Sequence, residues 1–287
     1  MMTRTLSILG ALLLIMALAA PASAASAASD DHSTQYYLSL GDSLAAGVQP
    51  IGDPDRDFRT NEGYADQLFA IARHDVPKLR LVKLGCPGET TTTMIHGGIC
   101  TYRHGPQLDE AVAFLKAHRS HVAFITIDIG ANDFPCSVDL SCVPGGIAAV
   151  QANLPVIMAA LREAAGADVP IVGMSLYNPF LGYWFAGPEG QQFAMTTTFA
   201  AIVPLNDLFE GMFAAAGAST ADVEGAFSTT DFTTIVSLPG AGDVPLNVAR
   251  ICMWTWVCAP PPLGPNNHAN AAGYGVMAEA FAAELGF

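Results

Sequence analysis

The sequence predicts an α/β protein, a three-layer α/β/α sandwich around a central parallel sheet of about five strands. Two observations carry this. Continuous apolar runs recur along the chain without polar alternation, as in strands buried on both faces, and the intervals between them hold apolar repeats at helical period.

The runs are YYLSLG, ending at Gly41, then LRLVKLG at 79–85, VAFITIDIG at 122–130, VPIVGMSLYN at 169–178 and a weaker ADVEGAF at 221–227. Helical patterns fill 63–73, 108–118, 147–164 and 191–215, and a last helix is expected over 271–285. Pro155 and Pro204 should kink or divide two of these helices. In an open parallel sheet, ligands bind beyond the carboxyl ends of the strands. Ser43, Gly88 and Asn132 follow the first, second and third runs, so the topology predicts that they meet at one edge.

The amino terminus has one positive charge, Arg4, then LSILGALLLIMALAA and the small-residue stretch PASAASAAS. That order reads as a secretory signal peptide over residues 1–24, leaving 25–287 as a single exported domain. No later segment reads as long and apolar enough to cross a bilayer. The formal net charge is −14, which excludes a basic nucleic-acid footprint and a polybasic membrane signal. The protein is expected to be a monomer, without stable membrane insertion.

Six cysteines fall as three local pairs. In an exported chain this favours disulfides, and short loops lose least entropy on closure, so Cys86–Cys100, Cys136–Cys142 and Cys252–Cys258 are expected. Sequence does not itself choose among the connectivities. A zinc site is the competing reading, weakened by the lack of a Cys-x-x-Cys pair.

A serine hydroxyl needs a base to accept its proton. Six of the seven histidines precede residue 122; the seventh, His268, stands alone in a Pro/Asn-rich turn before the last helix. Asp42 should brace the turn at Ser43, and Asp133 should cap the segment after Asn132. Asp128, inside the third run, would be costly if buried without a partner. The aromatic stretch YNPFLGYWFAGPEG at 177–190 could wall an acyl pocket or equally pack in the core. Alternation of Trp254 and Trp256 allows at most one indole to reach a substrate.

GDSL at 41–44, GCPGETT at 85–91, GAND at 130–133 and NNHANAAGY at 266–274 resemble the four ordered blocks of the GDSL/SGNH hydrolases. The three cysteine pairs resemble those of its secreted actinobacterial lipases and esterases. The resemblance implies a flavodoxin-like fold and a secreted serine ester hydrolase with no metal or organic cofactor, acting on a small-molecule or lipid ester. It makes Ser43 the nucleophile and His268 the general base, with an oxyanion hole of the Ser43 N–H, the Gly88 N–H and the Asn132 side-chain amide. Polysaccharide deacetylation is the alternative reaction, and a non-catalytic binding protein the alternative class. In one respect the chain departs from the family: the position three before the histidine, where its members usually have aspartate, is Pro265. The expectation is therefore a Ser-His dyad, with His268 held by the Pro265 carbonyl or, second, by a side-chain amide of Asn266 or Asn267.

Overall fold

The computed structural model describes residues 34–50, 57–135 and 140–287. The expected signal peptide lies outside the described residues. Five short apolar segments, β1 (Gln35–Gly41), β2 (Leu79–Lys83), β3 (Val122–Asp128), β4 (Ile171–Met174) and β5 (Ser219–Ala221), pair in parallel in the order β2-β1-β3-β4-β5. This is the flavodoxin-like order, which reverses direction between β1 and β3 and opens a crevice beyond their carboxyl ends.

Strand side chains alternate between two cores. Tyr37, Phe124, Val172 and Met174 face one side, where α1 (Tyr64–Ala72) and the carboxyl-terminal helix cover them. Leu38, Leu40, Ile125, Ile127 and Ile171 face the other, beneath α3 (Gln107–His118), α4 (Val143–Ala165) and α6 (Val203–Ala215). Helices thus lie on both faces of the parallel sheet, as the alternation of runs predicts. The remaining helices are α2 (Thr91–His96), α5 (Pro188–Thr197), α7 (Leu246–Trp254) and α8 (Ala271–Leu285).

Several expectations need correction. The fifth strand is Ser219–Ala221, and ADVEGAF turns helical over Val223–Ala226 because the Asp222 carboxylate accepts the Gly225 N–H at 2.7 Å. Helix α4 runs unbroken through Pro155: that ring is exposed, so the Gln151 carbonyl that loses its donor lies on a solvent-facing turn. The same helix begins four residues earlier than expected and is, by length and composition, long enough to cross a membrane. Its Val150, Leu154, Ile157, Met158 and Leu161 instead pack against the sheet. Pro204, by contrast, does mark a division, at the start of α6 after a π-helical stretch at Thr198–Ile202.

Two disulfides are described, Cys86–Cys100 and Cys252–Cys258. The third expected pair includes Cys136, which lies outside the described residues.

Helices α1 and α8 meet through the fully buried rings of Tyr64 and Phe281, stacked 4.8 Å apart. Phe281→Ala removes that contact and leaves a cavity, an expected loss of about 3–5 kcal/mol. A urea titration of both proteins, read by circular dichroism, should show a lower midpoint for the variant, with the midpoint shift times the m-value equal to that loss.

Candidate active site

At the end of β1, Gly41 has φ +132°, and a Cβ there would come within 2.0 Å of the Asp128 carbonyl on β3. Only glycine lets the two strand ends approach so closely. Asp42 follows and caps the helical turn Ser43–Ala46, its Oδ1 accepting the Leu44 N–H at 2.9 Å. Ser43 opens that turn, so its own N–H is one of the donors a helix start leaves unpaired. The hydroxyl Oγ stands 3.5 Å from Asp42 Oδ1.

Asp128, whose role the sequence leaves open, is buried beside Asp42. Its Oδ1 accepts the Tyr64 hydroxyl at 2.6 Å and its Oδ2 the Ala45 N–H at 3.3 Å. The two carboxyl groups are close enough to influence each other's charge. Burial raises both above the ordinary carboxylate range, and the charge of Asp42 raises Asp128 further. Asp42 takes N–H bonds from Leu44 and Asn132, which favour its anion, and that charge disfavours a second anion beside it, so the proton sits on Asp128.

Gly88 lies beyond β2, beside the Cys86–Cys100 bridge, with φ +82°. A Cβ there would meet only Ile99, at 3.9 Å, so the glycine requirement is one of backbone conformation. Its N–H has no acceptor among the described residues. Asn132 comes from a short 3₁₀ turn after β3, and its amide donates to Asp42 Oδ2 at 3.1 Å and to the Glu89 carbonyl at 3.0 Å. Both Asn132 N–H bonds are therefore engaged here, tying the three strand ends together. Asp133 accepts the Thr91 N–H and hydroxyl, at 2.8 and 2.6 Å, which joins the turn after β3 to the start of α2 rather than capping its own segment.

Sequence reasoning missed Gln107. From the first turn of α3 this buried amide reads both backbone groups of Gly41, accepting its N–H at 2.7 Å and donating to its carbonyl at 2.9 Å. Its second N–H donates to Glu89 Oε2 at 3.0 Å. Burial raises the Glu89 carboxyl above its usual range. One side chain thus fixes the tip of β1 to the loop that carries Gly88.

His268 stands two residues before Asn270, the cap of α8. Its loop is held to the Cys252–Cys258 loop by Trp256 N–H to His268 O at 3.0 Å and Asn266 N–H to Trp256 O at 3.1 Å. Tyr177 donates to the Asn267 carbonyl at 2.5 Å. The ring partner is Asn266 rather than the carbonyl of Pro265: Nδ1 lies 2.7 Å from Asn266 Oδ1. A carboxylate stands close as well, Asp57 Oδ2, at 3.5 Å. Asp57 lies 211 positions before the histidine, so no local pattern signals it. Burial lowers the imidazole below its ordinary 6.5, with Asp57 opposing.

Ser43, Gly88, Asn132 and His268 all line one cavity of about 1000 Å³. No hydrogen bond joins Ser43 to His268, a looseness common in unliganded sites. The stretch 177–190 does line this cavity, through Tyr177, Phe180 and Tyr183, opposite Phe134 and Ile147. Neither tryptophan reaches it: Trp254 packs edge-on against Phe227, and Trp256 donates to Gln49 Oε1 at 3.3 Å. Among the described residues no three His, Cys, Asp or Glu side chains gather to hold a metal ion.

The raised Asp128 carboxyl makes stability depend on pH. Asp128 is raised when folded, so folding loses free energy as pH rises from its unfolded value near 3.8 toward the folded one, by at most about 1.4 kcal/mol per unit. Thermal midpoints of wild type and Asp128→Asn should therefore diverge over that interval, wild type falling relative to the variant. A pH-independent difference would show that folding does not raise Asp128.

A family model of GDSL-like lipases and acylhydrolases matches residues 39–276. No match was found among curated protein sequences. Among solved structures, the chain is similar to the lipase Lip_vut3 from a goat rumen metagenome, with TM-score 0.53 and 18% identity over 87% of this chain and 97% of that one. It is also similar to Axe2, an acetylxylan esterase from Geobacillus stearothermophilus, with TM-score 0.54 and 16% identity over 89% and 95% of the two chains. Identities this low speak for the fold alone. The match over most of the sequence, with three of the blocks beyond strand tips and the fourth in the loop before α8, shows that the chain belongs to the GDSL-like lipase/acylhydrolase family.

Proposed function

We propose that the protein is a secreted serine carboxylic-ester hydrolase that prefers esters of medium or longer acyl chains. One observation carries the reading: a serine, a glycine N–H, an asparagine amide and a histidine from four distant stretches border the same cavity. The Asn266 oxygen accepts from Nδ1, so Nε2 carries the lone pair that a serine proton requires.

In this mechanism Ser43 Oγ attacks the ester carbonyl as its proton passes to His268 Nε2, and the carbonyl π electrons move onto oxygen. The Ser43 and Gly88 N–H groups receive that oxyanion. Asn132 joins them when one of its N–H bonds turns from Asp42 or Glu89. Collapse expels the alkoxide, which takes the proton from His268. Water then repeats the sequence on the acyl-enzyme and releases the acid and free Ser43.

The acyl preference follows from the cavity walls. Phe134, Ile147, Leu176, Phe180 and Ile202 offer apolar surface to a chain of several methylenes. Export after residue 24 agrees with the two disulfides, which persist in oxidising compartments.

Hydrolysis of p-nitrophenyl acetate, butyrate and octanoate by wild type and Ser43→Ala tests the reading. The substitution should cost about 10⁴-fold or more in kcat. Wild-type kcat/KM should rise about three- to fourfold per added methylene until the cavity is filled, with little release of acetate from acetylated xylan. Its acid limb should lie below pH 6.5, because only neutral His268 accepts the proton and burial lowers its pKa. Activity surviving in Ser43→Ala would remove the nucleophile. A preference for acetyl esters and acetylated xylan would replace the acyl-chain reading with deacetylation.

A further inference from the structure

We propose that Asp57 and Asn266 form a two-residue relay that sets the tautomer and basicity of His268; this rests on the serine hydrolase reading above. Asn266 Oδ1 accepts two N–H groups of the same histidine, the backbone N–H at 2.9 Å and the ring Nδ1–H at 2.7 Å. Asn266 Nδ2 donates to Asp57 Oδ1 at 3.0 Å. An amide can turn over, and the two orientations have opposite consequences for catalysis. Turned over, Asn266 would point N–H groups at the backbone N–H of His268 and would force Nδ1 to accept, leaving the proton on Nε2, where the serine proton must go. A carboxylate has only acceptors for an asparagine, so Asp57 selects the orientation that leaves Nε2 free.

The second effect is electrostatic. Asp57 Oδ2 lies 3.5 Å from Nδ1 and is 40% exposed, so its charge favours the imidazolium, weakened by solvent screening. Other titratable groups facing the ring are Asp42 across the cavity and the Tyr177 hydroxyl beneath Asn267. Neither makes a hydrogen bond with the imidazole. Asp57 is well anchored for the task. It directly precedes Phe58–Arg59, the second strand of a pair with Val48–Gln49, which follows the Ser43–Ala46 turn, and Thr60 closes that pair through two bonds to the Gly47 carbonyl, at 3.0 and 2.6 Å. Nucleophile and relay carboxylate are thus each joined to one strand of this pair. His268 is brought to both from the far end of the chain.

These are positioning residues, and the test reads the histidine through them. Steady-state hydrolysis of p-nitrophenyl butyrate as a function of pH should be compared for wild type, Asp57→Asn, Asn266→Ala and the exchange Asp57→Asn with Asn266→Asp. Thermal midpoints serve as the folding control. Asp57→Asn should keep KM, lose about tenfold in kcat, and move its acid limb down by about half a pH unit, a displacement that shrinks in about 1 M salt. Asn266→Ala should lose about 10²–10³-fold in kcat through the freed tautomer. The exchange puts a carboxylate directly on Nδ1 and an amide behind it. It should recover to within about tenfold of wild type, with its acid limb above that of the wild type.

An Asp57→Asn protein with the wild-type acid limb at low salt, or a folded Asn266→Ala protein with wild-type kcat, would overturn the relay. Ser43→Ala, assayed beside them, separates the two failures. If it is inactive while both relay variants behave as wild type, only the relay falls. If it stays active, the serine reading falls first.

Discussion

Two carboxyl groups with no ion-pair partner among the described residues join the tip of β1 to the tip of β3. Asp42 and Asp128 can lie together because Asp128, raised by burial and by the charge of Asp42, keeps its proton, and because Leu44, Ala45, Tyr64 and Asn132 donate to the other oxygens. Burial penalises charge on both, donors compensate part of that penalty at each, and the charge of Asp42 then disfavours a second anion on Asp128. The pair is therefore asymmetric, an anion under the nucleophile turn and a neutral acid inside the sheet. Every other contact at the site is arranged around it. Gly41 clears the space, Gln107 holds the strand end from the helix side, and Asn132 spans from the anion to the loop of Gly88.

His268 does not belong to that framework. It reaches the cavity through a loop held by the Cys252–Cys258 loop, by Tyr177 and by the cap of α8, none of which touches the acid pair. The division has a physical sense. The framework must be rigid where charge develops on the substrate oxygen, since a preorganised donor acts without reorganising. In the proposed mechanism the histidine exchanges a proton with two partners in turn, and a loop that fixes Nδ1 through Asn266 while leaving Nε2 without a partner among the described residues suits that role.

Much of this was legible in the sequence, for reasons that differ by residue. Strand and helix alternation predicted the layers because strands buried on both faces leave uninterrupted apolar runs, and Ser43, Gly88 and Asn132 follow from their places just past those runs. His268 was legible because it stands alone late in the chain, within a block that resembles a known one. Asp57 was not. It approaches the histidine only in three dimensions, through a hairpin of two-residue strands with no periodic signature. Gln107 was equally silent, since an amide in the first turn of a helix reads as an ordinary polar residue until the backbone it binds is known. The error at Pro155 has another origin. A proline forbids one hydrogen bond, and a carbonyl on the solvent side of a helix can do without it.

The walls of the cavity come from a different part of the chain than its chemistry. Ser43, Gly88 and Asn132 follow the first three strands within a few residues, where a shift of one position would turn a side chain to the opposite face. Phe180, Tyr183, Ile202 and Leu205 arrive instead from the long passage between β4 and β5, through a 3₁₀ helix, α5, a π segment and α6. Such a passage can lengthen or change its apolar content without moving a strand tip, because the sheet already fixes both of its ends. A π segment next to Pro204 fits this role. It absorbs an extra residue in the helix and turns Ile202 toward the cavity while α6 keeps Phe209 and Phe213 in the core. On the proposed reading, acyl preference can therefore change in the α5–α6 passage while Ser43, Gly88, Asn132 and the acid pair remain where the sheet puts them.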